Sequence, residues 1–255
     1  MSLARAAAIV AEMRAGVAFT GAGVSTESGI PDFRSPGGIW SKYDPDEFAF
    51  PRFVSSAEAR KKYWAFGLEM YPHVAAAQPN PGHHALAELE KRGKLRCVIT
   101  QNIDGLHTDA GLSAELVCEV HGTGRQFVCL ACGERGPMGE AVARVEAGEE
   151  DPACLACGGI IKAATVSFGQ NIPSEVWARA EALTGDCDAF VAVGSSLVVQ
   201  PAAGLPRRAS RLGASLVIVN REPTPLDHMA DVVLHGEAGN LLPALVDAAL
   251  GAAPR

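Results

Sequence analysis

Six short runs, at 16–20, 95–100, 116–120, 189–193, 215–220 and 231–234, are apolar without alternating. A strand wetted on one face alternates with period two, whereas a strand covered on both faces is apolar throughout, so this pattern predicts a parallel sheet between two layers of helix. Helical periodicity fills the intervals. Leu3, Ala6, Ala7, Val10 and Met13 share one face of a first helix, and further patterns run over 83–91, over 174–183 after Pro173, over 202–212 up to Gly213, and over 241–250. Strand–helix alternation of this kind predicts a doubly wound α/β domain. A chain of 255 residues can hold one such domain with an insert. Two stretches interrupt it: 36–80, rich in Pro, Gly and aromatics and helical from Ala57, and 122–164, which carries most of the remaining Gly-rich turns.

Apolar residues make up 48% and charged ones 20%, which excludes a disordered or fibrous chain. Arg5 interrupts the Ala-rich start, so the first helix does not read as a secretion signal or a membrane span; a cytoplasmic protein is expected. A net charge of −7 argues against nucleic acid as partner and favours basic protein segments.

Four of the seven cysteines fall as Cys129-x-x-Cys132 and Cys154-x-x-Cys157, with 21 residues between the pairs and a glycine after each. Four thiolates close a tetrahedral site and leave no position for water or substrate, so structural zinc is expected, with redox-active pairs as the alternative. Cys97, Cys118 and Cys187 sit in or beside apolar runs and are expected to be reduced core residues.

The predicted strand ends carry polar groups. The first runs into Gly21-Ala22-Gly23-Val24-Ser25, placed where a dinucleotide-binding fold brings backbone N–H groups to a pyrophosphate. Thr26 stands where the third glycine of that fingerprint would be, and no acidic strand end follows about 20 residues on; a tight turn needing positive φ explains the glycines equally well. Ser28-Gly-Ile-Pro-Asp32-Phe33-Arg34 follows, a Gly/Pro-containing loop suited to closing over a ligand. The second strand ends in Gln101-Asn102-Ile103-Asp104 and the third in His121-Gly122, where an imidazole with an ordinary pKa is a ready general base. Gly194-Ser195-Ser196 and Asn220-Arg221 complete five strand ends facing one edge, where open α/β sheets bind ligands.

Taken in order, Gly21-Ala-Gly-Val-Ser, Ser28-Gly-Ile-Pro-Asp-Phe-Arg34, Thr100-Gln-Asn-Ile-Asp-Gly-Leu-His107, His121-Gly122, the two CxxC pairs, Val166-Ser-Phe-Gly169, Gly194-Ser-Ser196 and Asn220 resemble the sirtuin family of NAD-dependent protein deacylases. The resemblance implies a Rossmann-like NAD-binding domain from 1–35, 81–121 and 165–255, with a small lobe made of a helical insert, 36–80, that carries cofactor-loop residues and a zinc-ribbon-like insert, 122–164. It implies NAD as co-substrate, one structural zinc, and transfer of the acyl group from lysine to the ADP-ribose of NAD, giving nicotinamide, 2′-O-acyl-ADP-ribose and free lysine. His121 would be the general base and Asn102 would position the ribose and a water. Gln101 would contact ribose, and Ile103 and Asp104 would hold the nicotinamide carboxamide. Gly21, Ala22, Gly23, Thr26, Asp32, Phe33 and Arg34 would line and cover the cofactor, and Gly194, Ser195, Ser196, Asn220, Arg221 and Ala238 would take its adenosine half. Val166 and Phe168 would wall the acyl-lysine tunnel. Val166–Gln170, with Gly169 and Gln170, and 197–200, with Leu197 and Val198, would pair with an extended peptide.

One departure from the family pattern bears on substrate. Lys162-Ala-Ala-Thr165 and Gln170 stand where relatives commonly have Arg-Pro and Glu, and the lost carboxylate removes support for basic peptide flanks and keeps mono-ADP-ribosyl transfer open beside deacylation; plain NAD hydrolysis is a second enzyme alternative. A zinc-ribbon binding module is the alternative outside enzymes, and Glu146, Glu149, Glu150 and Asp151 speak against nucleic acid as its ligand. Succinyl- and malonyl-preferring relatives carry Tyr-x-x-Arg, whereas Tyr63 is followed by Phe66 and no arginine occurs between Arg60 and Arg92. A tunnel of Phe, Trp, Leu and Met from residues 61–70 is therefore expected to accept neutral acyl groups, with Lys61 and Lys62 solvated.

Overall fold

The computed structural model describes residues 2–33 and 38–251. α1 (Ser2–Glu12) presses Ala6, Ala7 and Val10 into the core and leads to β1 (Gly16–Thr20), which is buried along its whole length. The first interruption holds α2 (Phe50–Ser55) and α3 (Ala57–Ala76). α4 (Pro81–Lys91) starts at Asn80, whose side chain accepts from Gly82 N–H while His83 reaches back to the Asn80 N–H, a reciprocal cap with proline in the first turn. β2 (Leu95–Thr100), the short α5 (Leu106–Asp109) and β3 (Val117–Glu119) follow. The second interruption is β4 (Gly122–Cys129), β5 (Arg135–Pro137), α6 (Met138–Glu146) and β6 (Ile161–Thr165). The chain then resumes with α7 (Ser174–Gly185), β7 (Ala189–Val193), α8 (Gly204–Arg211), β8 (Ser215–Asn220), β9 (Val232–His235) and α9 (Ala238–Leu250). α8 begins two residues later than its apolar pattern, because 201–203 form a turn.

The large sheet has the order β3-β2-β1-β7-β8-β9, and its five strand pairings are all parallel. Alternate strand residues serve opposite layers: Ala18, Val98, Val191 and Val217 meet α1, α4 and α9, whereas Phe19, Ile99, Phe190 and Ile218 meet α7 and α8. Both faces are apolar, which is why the runs do not alternate. The order is that of a Rossmann-like doubly wound fold, reversing between β1 and β7. A second, antiparallel sheet, β5-β4-β6, forms the small lobe. Its core joins Met138, Ala141, Val142, Ile161 and Ala163 to Trp64 of α3, so the two interruptions bury their apolar surface against each other. No described helix is long and apolar enough to cross a membrane.

At the reversal the β1 and β7 loops touch backbone to backbone. A Cβ on Gly23 would stand 2.8 Å from Gly194 Cα, and one on Gly194, where φ is +60°, would stand 2.3 Å from Val24 N. The glycines that resemble a phosphate-binding fingerprint are thus also required by the packing of two loops. Gly194→Ala is expected to cost about 2 kcal/mol or more and to lower Tm by about 4–8 °C. Gly185→Ala, which meets open space and no positive φ, serves as control and stays within about 2 °C in the same calorimetric scan.

Candidate active site

A cavity of about 720 Å³ opens at the carboxyl ends of all six strands of the large sheet, within the range of a cofactor site. Gly21, Ala22, Gly23 and Thr26 line it after β1, Gln101, Asn102, Ile103 and Asp104 after β2, and His121 after β3. Gly194, Ser195 and Ser196 enter it after β7, Asn220 and Arg221 after β8, and Ala238 beyond β9. Asp32 and Phe33 lie on its rim, tied down by Ile39 N–H to Asp32 O at 2.9 Å and Trp40 N–H to Phe33 O at 3.0 Å. Arg34 lies outside the described residues.

His121 Nδ1 stands 3.1 Å from the Gln101 carbonyl. A carbonyl only accepts, so Nδ1 carries the proton and Nε2 keeps its lone pair; burial lowers the ring's pKa and favours this neutral form. Asn102 is held through three bonds: its N–H to Thr100 Oγ1 at 3.0 Å, and its Nδ2 to Gly21 O at 3.2 Å and Ser25 Oγ at 3.1 Å. Both amide donors are used, which leaves Oδ1 for the cavity. Ser25 Oγ donates to Asp104 Oδ2 at 2.8 Å, and Leu106 N–H donates to Asp104 Oδ1 at 2.9 Å. Gln101 Nε2 donates to Ser195 Oγ at 2.8 Å and bridges the two halves of the sheet.

Sequence reasoning gave no role to His83. It lies 3.4 Å behind Ser25 Oγ, and burial lowers its pKa to about 4. The reciprocal cap of α4 was its signal, for that cap accounts for Nδ1 and leaves Nε2 to face Ser25.

The apolar end of the cavity corrects the expected tunnel. Tyr63, Phe66, Met70 and Val74 line it, joined by Trp40, Phe48 and Phe168. Trp64 and Leu68 instead face the small-lobe core, because a helix sends positions 63, 66, 70 and 74 to one side and 64 and 68 to another. Tyr63 spans both surfaces, and its hydroxyl accepts from Ala163 N–H at 3.1 Å. Lys61 pairs with Glu58 and Glu150, and Lys62 with Glu47, on the partly exposed outer side.

Val166, Phe168, Gly169 and Gln170 reach the cavity, but the segment is not a uniform strand. Gln170 N–H donates to Ser167 O at 2.9 Å and Gly169 has φ +78°, closing a turn. Leu197 is also at positive φ, +54°, and its side chain packs in the core, while the Val198 side chain is exposed. Neither side chain lines the cavity. The main-chain groups of Gly169 and Val198 carry no hydrogen bond among the described residues.

Cys129, Cys132, Cys154 and Cys157 bring their sulfurs within 4.8 Å of one another, with Cys129–Cys157 at 3.6 Å and Cys132–Cys154 at 3.7 Å. A tetrahedral zinc with bonds of about 2.3 Å sets sulfurs about 3.8 Å apart, so the cluster fits the ion and is far too open for disulfides. The other three cysteines are free, with Cys97 and Cys118 buried and Cys187 partly so.

Fold and site together define a dinucleotide-binding enzyme whose small lobe carries four cysteines placed to hold a structural metal. The family model described as Sir2 family matches residues 21–201. The "NAD-dependent protein deacetylase 2" of Streptomyces coelicolor is 49% identical over 230 residues, covering 89% of this chain and 94% of that protein. A solved Sir2 structure with a deacetylated p53 peptide and 3′-O-acetyl ADP-ribose superposes with TM-score 0.90 at 35% identity, covering 97% of this chain and 98% of the other. Another, bound to a myristoylated histone peptide, superposes at 0.79 and 38% identity over 97% and 96%. The chain belongs to the Sir2 family.

Cys154→Ser or a strong chelator is expected to lower the thermal stability of the small lobe. The measurement is a calorimetric thermal scan, with one zinc per chain by metal analysis of fresh protein. A normal scan for Cys154→Ser, or protein without zinc, contradicts the assignment.

Proposed function

We infer that the cavity removes acyl groups from protein lysine with NAD as co-substrate, and that the four cysteines hold a structural zinc outside the chemistry. The observation that carries the reading is His121, its Nε2 unprotonated in a cavity it shares with a fully clamped Asn102. Bound NAD supplies an electrophilic ribose carbon and nicotinamide as leaving group. His121 Nε2 takes a proton from a ribose hydroxyl, and Asn102 Oδ1 orients that sugar or a water. Ile103 and Asp104 hold the carboxamide, Gln101 meets ribose, and Phe33 shields the reacting centre from solvent. Gly194, Ser195, Ser196, Asn220, Arg221 and Ala238 receive the adenosine half. Residues 1–35, 81–121 and 165–255 form the cofactor lobe, and 36–80 with 122–164 form the second lobe.

The acyl-lysine peptide enters between 166–170 and 197–200, pairing through unused main-chain groups such as those of Gly169 and Val198, with Val166 and Phe168 against the lysine stem. The net charge of −7 favours a protein partner over nucleic acid. Free cysteines and a thiolate metal site suit a reducing compartment, the cytoplasm, as the place of work.

His121→Ala is expected to lower the deacylation rate 10²–10⁴-fold while NAD binding and Tm hold. In the unaltered enzyme kcat/KM falls as pH drops, with its midpoint below the ordinary histidine value of about 6.5, because burial lowers the pKa and only the neutral ring accepts the proton. Nicotinamide release should require acylated peptide, and equal release without it would identify an NAD hydrolase.

No cation of α3 lines the acyl end of the cavity, where Phe66, Met70 and Val74 stand. Neutral chains are therefore accepted, and a carboxylate, buried without a partner, is rejected. Matched peptides should show acetyl and butyryl kcat/KM at least about tenfold above succinyl. Succinyl turnover equal to acetyl contradicts this.

A further inference from the structure

Eight of the buried polar residues gather at the floor of the cavity: Ser25, Asn102 and Asp104 line it, with Thr20, Asn80, His83, Thr100 and His107 behind them. One chain among them ends on a residue that the reaction above does not use. His107, on α5, is 2% exposed, and its Nε2 lies 2.8 Å from Thr20 Oγ1. Thr20 Oγ1 donates to Thr100 Oγ1 at 2.8 Å, and Thr100 Oγ1 accepts the Asn102 N–H at 3.0 Å. Thr20 and Thr100 are register partners at the ends of β1 and β2, so the two hydroxyls meet as a cross-strand pair.

With Thr20 giving its single hydroxyl proton to Thr100, the bond between Thr20 and His107 takes its proton from His107 Nε2. The imidazole is thereby the neutral Nε2–H tautomer, in keeping with a pKa lowered to about 3 by burial and by the His83 ring 5.1 Å away. Its Nδ1 is buried and has no hydrogen-bond partner among the described residues. A histidine that serves only as filler gains nothing from such an orphaned nitrogen; here the polar ring is retained for what Nε2 does.

We propose that His107 is a positioning residue for the deacylation, acting through the Thr20–Thr100 hydroxyl pair to set the main chain of Asn102 and with it the carboxamide in the cavity. The inference rests on the catalytic reading of Asn102. His107 touches neither substrate nor cofactor. It fixes the first of the three bonds that hold Asn102, the one neither Gly21 nor Ser25 supplies.

Thr100→Val keeps the shape and removes the acceptor, His107→Leu removes the donor, and His107→Gln keeps an N–H at similar reach. Misplacing a positioned group costs up to about 10²-fold, so Thr100→Val and His107→Leu are expected to lower kcat roughly 10- to 100-fold, with KM for acetyl-peptide within about twofold. His107→Gln is expected to recover most of the loss. In an Asn102→Ala background Thr100→Val should lower kcat no further, since no carboxamide remains to be set. A folded Thr100→Val enzyme with unchanged kcat overturns the proposal, as does a full second loss on top of Asn102→Ala. If His107→Leu does not fold, Thr100→Val and Thr20→Val carry the test alone. Should Asn102→Ala itself leave kcat intact, the assignment of Asn102 fails along with the relay, and that result is distinct from Thr100→Val failing against an impaired Asn102→Ala.

Discussion

The close approach of the β1 and β7 loops is the contact on which the cavity depends. Gly21 N–H donates to Val193 O at 3.1 Å, Gly23 N–H to Gly194 O at 2.8 Å and Gly194 N–H to Val219 O at 2.9 Å. The hydrogen-bond ladder therefore runs on past the strand ends through three neighbouring loops. On the other side Gln101 N–H donates to Thr20 O at 2.9 Å and Val120 N–H to Thr100 O at 3.0 Å. Loops leaving a parallel sheet are usually its softest part. Here the residues that first depart from the strands are still laced together, and the polar side chains they carry share one rigid edge.

That rigidity continues below the cavity in a floor of neutral polar groups. Burying a hydroxyl, an amide or an imidazole costs free energy unless each finds a partner. The floor answers this with Ser25, which takes a proton from the Asn102 amide and gives its own to Asp104. Burial favours the uncharged forms of His83 and His107, and Asp104 accepts from both a hydroxyl and the Leu106 N–H. Side chains in such a network have few rotamers available. The carboxamide and imidazole facing the cavity thus reach it already oriented, which is what proton transfer and ribose positioning require.

α3 connects this edge to the small lobe because its two sides serve different cores. Phe66, Met70 and Val74 wall the apolar end of the cavity, while Trp64 and Leu68 pack with Met138, Val142 and Ile161. The four-thiolate cluster adjoins this core, since Cys129 and Cys154 pack in it with Trp64, and a metal held there would tie the two knuckles to the sheet. Tyr63, whose phenol is pushed up to about 12 mainly by burial, belongs to both sides and ties the helix to β6 through Ala163.

The sequence by itself determined the parallel sheet, the positions of its strands, the two interruptions and the metal knuckles. Each rests on local periodicity or spacing, which a linear reading contains. It also determined that polar residues follow the strand ends, and once the strands are parallel these must share an edge. The tertiary structure alone decided which way each side chain turns. It sent Trp64 away from the acyl end, put Leu197 into the core at positive φ, and folded 167–170 into a turn where an extended segment was expected. It also brought His83 from α4 to Ser25 and His107 from α5 to Thr20, residues 58 and 87 positions distant in the chain respectively. The reason is physical: periodicity records how much of an element is buried, whereas which neighbour a buried atom meets depends on packing among elements far apart in sequence.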